Sequence, residues 1–147
     1  MLRRYTFWFW TAVGLQLLTG IFHTMSLFVS SVPANETEAQ MMTLMTSYRI
    51  DAGAGFHPTY SGLFTALSSC FTFLCFFAAM TNGYLMLKKT EPSVMRGIIA
   101  INLLIFGAAF AVMAYFTFLP PIICTGLIFI NLLAAIVVAP KNESAIY

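Results

Sequence analysis

Four long apolar stretches without a charged residue constrain the fold of this chain more than any other feature. They cover residues 5–30, 58–87, 97–118 and 120–139. About 20 consecutive apolar residues make a helix long enough to cross the ~30 Å hydrocarbon core of a bilayer. Charged residues make up only 8% of the chain, against about a quarter in an ordinary soluble domain. We therefore predict an all-α integral membrane protein, with residues 1–147 forming a single transmembrane domain.

The connections between these stretches predict the topology. A backbone in lipid must satisfy its own hydrogen bonds, so the spans are helices, and the alternating pattern of a membrane β-barrel is absent. Residues 88–95 and 119–121 are predicted to be short turns, and Pro58 is predicted to open the second span. Short connections make consecutive helices antiparallel neighbours. The expected fold is an up-down-up-down four-helix bundle.

The basic residues predict the orientation. Six of the seven fall on one side of a four-span chain: Arg3, Arg4, Lys88, Lys89, Arg96 and Lys141. Only Arg49 falls on the other side, together with three acidic residues. Because cytoplasmic loops carry the excess of Lys and Arg, we expect a multi-pass protein of the cell membrane with both termini cytoplasmic. A signal peptide at the N-terminus is the alternative, although the first apolar run is longer than such a peptide needs.

The outer loop over residues 31–57 is predicted to contain an amphipathic helix. Asn35 followed by Glu38 is typical of a helix N-cap. Apolar residues then recur at helical spacing: Met41, Leu44, Met45 and Tyr48. We expect this helix to end at residues 49–51 and to lie on the outer membrane surface or to cap the bundle. Residues 52–55 are predicted to form a flexible or tightly turned link.

Two spans carry a stripe of polar or small residues at helical spacing. On the first span these are Gln16, Thr19, Gly20, His23 and Ser26, and on the second Ser61, Thr65, Ser68, Ser69 and Thr72. Small hydroxyl residues let helices approach closely and can bond back to backbone carbonyls. The stripes therefore indicate packing seams, or the lining of a small polar cavity.

His23 leads the candidate functional residues, because ionisable residues inside spans are often functional. His57 is predicted to lie at a similar height, at the mouth of the second span. The candidate ligand-binding set is His23, His57, Asp51, Arg49, Gln16, Ser61 and Thr65. A structural histidine, hydrogen-bonded to Ser61 or Thr65, is the competing interpretation.

No cofactor is predicted. A metal held by His23, His57 and a carboxylate, or a haem held by both histidines, are the alternatives, but the spacing matches no ligand motif. The three cysteines are expected to be packing residues, since Cys70 and Cys75 point in different directions on a helix.

Four segments carry a resemblance to known proteins: GIFH at 20–23, NETE at 35–38, MMTLM at 41–45 and FHPTYSG at 56–62. They resemble a family of small, uncharacterised four-helix bacterial integral membrane proteins. Members have a histidine late in the first span, then a polar loop that leads into a Ser- or His-bearing second span. The resemblance covers the first half of the chain and implies the four-helix architecture, but no activity.

The expected function is that of an accessory or structural membrane subunit, or of a lipid-associated protein, because no strong catalytic constellation is present. The expected partners are the lipid bilayer, other membrane subunits or further copies of the chain. With a net charge of +2 and no basic patch, nucleic acid is excluded. One alternative is a binding or transport protein for a small ligand or lipid, with a site near His23. Another is a membrane enzyme acting on a lipid or quinone, with His23 or His57 as acid or base.

Overall fold

The computed structural model describes residues 4–29 and 32–140, and these residues form five α-helices. They are α1 (Tyr5–Ser26), α2 (Glu36–Ser47), α3 (Tyr60–Leu87), α4 (Pro92–Phe116) and α5 (Leu119–Val138). The described residues contain no strand, only one isolated bridge between Arg49 and Thr59. The all-helical prediction is confirmed. Arg3, Lys141 and residues 30–31, on which some predictions depended, lie outside the described residues.

Three helices, α3, α4 and α5, are long and apolar enough to cross a membrane. The first helix has 22 residues, so it is long enough, but it is not apolar enough to join them. Two tryptophans, Gln16 and His23 lower its hydropathy. Three of the four predicted spans are thus supported by length and composition, while the span in α1 and the four-helix bundle stay predictions.

Two proline-containing boundaries differ from the predicted turns. The fourth helix begins at Pro92, so Arg96 is helical and not part of a turn. The fifth begins at Leu119 and includes Pro120 in its first turn. Proline is tolerated there because the first N–H groups of a helix have no partner within it. Placing Pro92 in a turn was wrong. Residues 119–121 are helical and not a turn, while the predicted span 120–139 agrees with α5 to one residue at each end.

The outer-loop boundaries differ as well. The second helix ends at Ser47, before the predicted end at residues 49–51. The third helix begins at Tyr60, so Pro58 precedes the helix and does not open it. The carbonyl oxygen of Pro58 instead accepts a hydrogen bond of 2.9 Å from the Ile50 N–H. That bond holds the backbone extended at a point where the sequence pattern predicted helix.

By contact density the chain divides into two compact units. The first unit combines Met1–Thr19 with Cys75–Tyr147, and the second is Gly20–Leu74. Helices α1 and α3 contribute residues to both units, whereas α4 and α5 belong to the first and α2 belongs to the second.

In the first unit, α4 and α5 pack closely through a repeated Gly-x-x-Phe pattern. The α4 copy is Gly107 to Phe110, and the α5 copy is Gly126 to Phe129. A Cβ added to Gly107 would lie 3.0 Å from the Phe129 ring, and one added to Gly126 would lie 3.1 Å from the Phe110 ring. The two rings stack with centroids 5.9 Å apart. Each phenylalanine therefore occupies the space that the opposite glycine leaves open.

Arg96 joins the same two helices at the other end of α5. Its Nη1 donates to the carbonyl oxygens of Ala139 at 2.9 Å and Ile136 at 3.3 Å. The last carbonyls of a helix have no partner inside it and carry a partial negative charge. The guanidinium therefore satisfies the α5 C-terminus with a charge of the favourable sign.

In the second unit, α2 begins as predicted but does not bury its apolar face. The Asn35 Oδ1 accepts from the Glu38 N–H at 2.9 Å, and the Glu38 carboxylate accepts from the Ala34 N–H at 2.7 Å. This reciprocal pair is the predicted cap. The apolar residues Met41 and Leu44 are nevertheless exposed, and α2 has no buried residue. Its apolar face is therefore free to contact lipid or a partner.

The segment between α2 and α3 is a short hairpin-like loop. Around the Arg49–Thr59 bridge, the Ala52 N–H donates to the Phe56 carbonyl at 3.1 Å. The tip turns sharply, because Gly53, Ala54 and Gly55 all have positive φ. Of the two predicted forms of this link, the tight turn is the one observed.

Candidate functional site

Three amide side chains from three helices meet in the interior of the first unit. The Asn82 Nδ2 of α3 donates to Gln16 Oε1 of α1 at 3.1 Å and to Asn102 Oδ1 of α4 at 2.8 Å. The Gln16 Nε2 donates to the same Asn102 oxygen at 3.2 Å. Asn102 donates back to Asn82 Oδ1 at 3.2 Å and to the Ile98 carbonyl at 2.9 Å. We call Gln16, Asn82 and Asn102 the amide triad.

The amide triad is satisfied by its own members. Gln16 and Asn82 are 0% and 1% exposed, and every amide oxygen accepts at least one bond. An amide has two N–H donors and an acceptor oxygen, and both N–H groups of Asn82 and of Asn102 are used. The arrangement links α1, α3 and α4. Only one of the two Gln16 N–H groups has a partner among these bonds.

Sequence reasoning recognised Gln16 as a polar position in an apolar helix but missed Asn82. Gln16 was placed in a candidate ligand site near His23, whereas the structure places it in the amide triad. The overlooked signal was available, because a single asparagine inside an otherwise apolar span is unusual and needs a partner. The sequence does not show that the three amides lie at the same level of their helices and can therefore bond to one another.

His23 lies in the second unit, and its Nε2 is buried without a hydrogen-bond partner. Its ring packs edge-to-face on Phe71, with centroids 5.2 Å apart. The predicted partners were Ser61 and Thr65, and that prediction was wrong. The Thr65 hydroxyl instead donates to the Ser61 carbonyl at 2.9 Å. A helical Thr can satisfy its hydroxyl on its own helix in this way, so Thr65 does not need the histidine.

Thr72 is the second unpartnered polar group of this unit. It is 5% exposed, and its Oγ1 has no hydrogen-bond partner. It follows Phe71, the residue that contacts the His23 ring. Buried polar atoms in native proteins are nearly always paired with protein or ordered water. Among the described residues of this unit, the His23 Nε2 and the Thr72 Oγ1 are the buried side-chain atoms without a hydrogen-bond partner.

The remaining predicted site residues stabilise the hairpin-like loop. The Arg49 Nη1 donates to the His57 carbonyl oxygen at 3.1 Å. The Asp51 Oδ1 accepts from the Gly53 N–H at 3.0 Å, an Asx-turn of the usual kind. The His57 side chain makes no hydrogen bond to Asp51 or to His23. The structure brings Arg49 and His57 together through the backbone, and the ligand site as a whole stays a prediction.

Within the described residues, no three His, Cys, Asp or Glu side chains are placed to hold a metal ion. The three cysteines are free: Cys70 is exposed, Cys75 is buried and Cys124 is half-buried. That the protein holds no cofactor stays a prediction, with a metal or haem at His23 and His57 as the alternatives.

Two rows of small residues run along one exposed side of α3. The first row is Ser61, Thr65 and Ser69, and the second is Gly62, Ala66 and Cys70. Each row repeats every four residues, which places its members on one face of a helix. We call the two rows together the α3 seam. Every residue from 62 to 67 is exposed, so no described part of the chain covers the middle of the seam.

Comparisons with models of protein families, with curated proteins and with solved structures give no match to this chain.

Proposed function

We propose that this chain is a four-span protein of the cell membrane that serves as an accessory subunit, with the α3 seam pairing with a helix of another membrane protein or of a second copy. The observation that carries the proposal is the exposure of the α3 seam. Helices in lipid associate mainly by close packing, and small residues spaced four apart permit the closest approach. In the first unit the α4–α5 pair already uses small residues in this way, so an uncovered seam indicates a missing helix.

The seam is chemically suited to this role. The Ser69 hydroxyl donates to the Thr65 carbonyl at 2.7 Å, and the Thr65 hydroxyl donates to the Ser61 carbonyl. The hydroxyls of Thr65 and Ser69 therefore need no partner from the neighbouring helix, and a docking helix does not have to supply polar groups to them. Exposed Phe64 and Leu67 provide large apolar side chains beside the seam.

The test measures the size of the complex in native membranes. Full-length protein extracted in a mild detergent is analysed by native gel and native mass spectrometry. We expect the parent to migrate with a stoichiometric partner, and Ala66→Leu to release it as a monomer, because the larger side chain prevents close approach. Val112→Leu, at an exposed position of α4, is the matched control and should keep the partner. A parent that is monomeric when extracted would contradict the proposal.

The proposed topology has its own experiment. In a variant without native cysteines, a cysteine is placed at Thr37, or at Ser144 in the C-terminal tail. A membrane-impermeant thiol reagent applied to intact cells should label only the cysteine at position 37. Labelling at position 144 would show that the termini are not cytoplasmic.

A small-ligand site near His23 is the second candidate, supported by the unpartnered His23 Nε2 and Thr72 Oγ1. A ligand with a hydroxyl or carbonyl group would satisfy both atoms. Native purification followed by mass spectrometry should find a bound molecule that is lost in both His23→Gln and Thr72→Val. Retention of the molecule in both variants would place it elsewhere. The enzyme hypothesis lacks such support, because the Asp51 carboxylate is bonded to its own loop.

A further inference from the structure

A cleft of about 260 Å³ lies in the first unit between the start of α1 and the α3–α4 connection. Its polar rim consists of Tyr5, Thr6, Lys89 and Thr90, and apolar side chains that include Leu85 complete the lining. The Thr90 hydroxyl donates to the Leu85 carbonyl at 2.9 Å. The rim therefore offers one cation and two hydroxyl donors, those of Tyr5 and Thr6.

The backbone at Lys89 is in the left-handed region, with φ +51. The Thr90 N–H bonds the Leu85 carbonyl at 3.2 Å, and the Lys89 N–H bonds the Met86 carbonyl at 3.1 Å. This pair of bonds is the Schellman motif that ends a helix, and its left-handed position normally holds glycine. A lysine there is less favourable than glycine would be.

The charge of Lys89 is not neutralised by the described residues, since none of them forms an ion pair with it. The neighbouring carboxylate of Glu91 instead accepts from the Ser93 hydroxyl at 2.6 Å. The other lysine of the connection, Lys88, has its Nζ over the Tyr84 ring, 5.6 Å from the centroid. Lys89 is therefore the lysine of this connection that is available to an anion.

A second cleft, of about 470 Å³, shares Thr6 with the first and is lined by Arg4, Phe7 and Trp10. The second cleft adds a cation, Arg4, and an apolar, aromatic surface along the start of α1. The first cleft lies where α1 begins and α3 ends. Tryptophan and tyrosine are enriched at this level of a membrane, where the headgroups lie.

We propose that the two clefts bind an anionic phospholipid, with its phosphate at Lys89 and Arg4 and its acyl chain along Phe7 and Trp10. Phosphate oxygens accept from the two cations and from the Thr6 and Tyr5 hydroxyls as charge-assisted hydrogen bonds. Basic pockets between membrane helices recognise anionic headgroups by this chemistry. A soluble phosphate compound has the same head chemistry but no chain for the apolar surface. The proposal depends on the helices crossing a membrane, not on partner binding at the α3 seam.

The experiment uses full-length protein in a mild detergent and measures lipid binding by native mass spectrometry. Phosphatidylglycerol is compared with phosphatidylcholine of the same chains, so that only the headgroup charge differs. We expect the parent to prefer phosphatidylglycerol, and Lys89→Gln to lose about fivefold in affinity for it, the effect of one basic residue near an anionic surface. Lys88→Gln is the matched control, and it should keep the preference.

Lys89→Gly separates binding from folding. Glycine relieves the left-handed strain, so this variant should unfold at a temperature no lower than the parent while losing the same lipid preference. Equal losses in Lys88→Gln and Lys89→Gln would show a diffuse basic surface and overturn the proposal. Displacement of the lipid by millimolar inorganic phosphate would overturn it in favour of a soluble ligand. If Ala66→Leu releases the partner protein at the α3 seam but keeps the lipid, the two proposals are independent of each other.

Discussion

The two units treat polar side chains inside apolar helices in opposite ways. In the first unit Gln16, Asn82 and Asn102 bond to one another and join three helices. In the second unit the Thr65 hydroxyl donates to a carbonyl of its own helix. The buried His23 Nε2 and Thr72 Oγ1 atoms have no hydrogen-bond partner. Amides carry more donors and acceptors than their own backbone can use. Amide side chains that face each other therefore form hydrogen bonds between helices. A hydroxyl can instead bond to a carbonyl of its own helix.

The units differ in their small residues as well. In the first unit Gly107 and Gly126 are each covered by a phenylalanine from the opposite helix. In the second unit Gly62 and Ala66 are exposed on α3. A Cβ added to Gly62 would lie 3.3 Å from the Oγ1 of Thr59, which directly precedes α3. The glycines at the α4–α5 contact are thus covered by a facing helix, whereas no described helix covers the middle of the α3 seam. This difference is the reason that we place the proposed partner at the α3 seam.

Asn82→Leu is the change with the largest expected effect. It removes three hydrogen bonds and leaves the Gln16 Oε1 and one Asn102 N–H without a partner in an apolar interior. We expect a loss of about 2 kcal/mol in the free energy of unfolding, measured by denaturation in detergent micelles. Thr65→Val in the second unit is the control and should change stability by less than about 0.5 kcal/mol. Equal effects of the two changes would remove the distinction between the units.

Gly126→Ala should have the next largest effect. The added methyl group would lie 3.1 Å from the Phe110 ring, so the stacked rings must move apart. We expect a cost of about 1–2 kcal/mol in the same unfolding assay. Gly14→Ala, where nothing lies within 4 Å of the added Cβ, should instead be neutral or stabilising, because alanine favours helix. If Gly126→Ala is also neutral, the α4–α5 pair is packed less tightly than its geometry indicates.

Thr72→Val should change stability in the opposite direction to Asn82→Leu. Valine has nearly the shape of threonine, and the change removes a buried hydroxyl that has no partner. In detergent-purified protein without a bound ligand, we expect a gain of about 1 kcal/mol in the free energy of unfolding. A loss of stability would show that the hydroxyl is satisfied by water or by a bound molecule, and would favour the small-ligand candidate.

Leu44→Asp should have the smallest effect. Leu44 is 62% exposed, so the new carboxylate stays in contact with solvent in detergent. The free energy of unfolding should change by less than about 0.5 kcal/mol. A loss of several kcal/mol would mean that α2 packs its apolar face against protein, as a cap on the bundle would do.

Length and charge distribution made most of the helices predictable, because a long run without charge has few other folds available. The N-cap at Asn35 was predictable for a local reason, since its partner Glu38 is only three residues away. The starts of α4 and α5 were not, because a proline is compatible both with a turn and with the first turn of a helix. The candidate ligand site stays a prediction. Grouping Asp51 and His57 with His23 assumes that residues at similar depth converge, and the hydrogen bond of the Asp51 carboxylate is to its own turn.

The asparagines of the apolar helices separate what the sequence determined from what the tertiary structure decided. The sequence alone determines that Asn82, Asn102 and Asn131 each stand in an apolar helix and must find a hydrogen-bond partner there, because an unpaired amide in such surroundings is costly. It does not choose the partner. The Asn131 Nδ2 donates to the Leu127 carbonyl of its own helix at 2.8 Å, whereas Asn82 and Asn102 meet each other. That choice depends on which helix faces the amide and at what depth, and only the packing of the helices sets both.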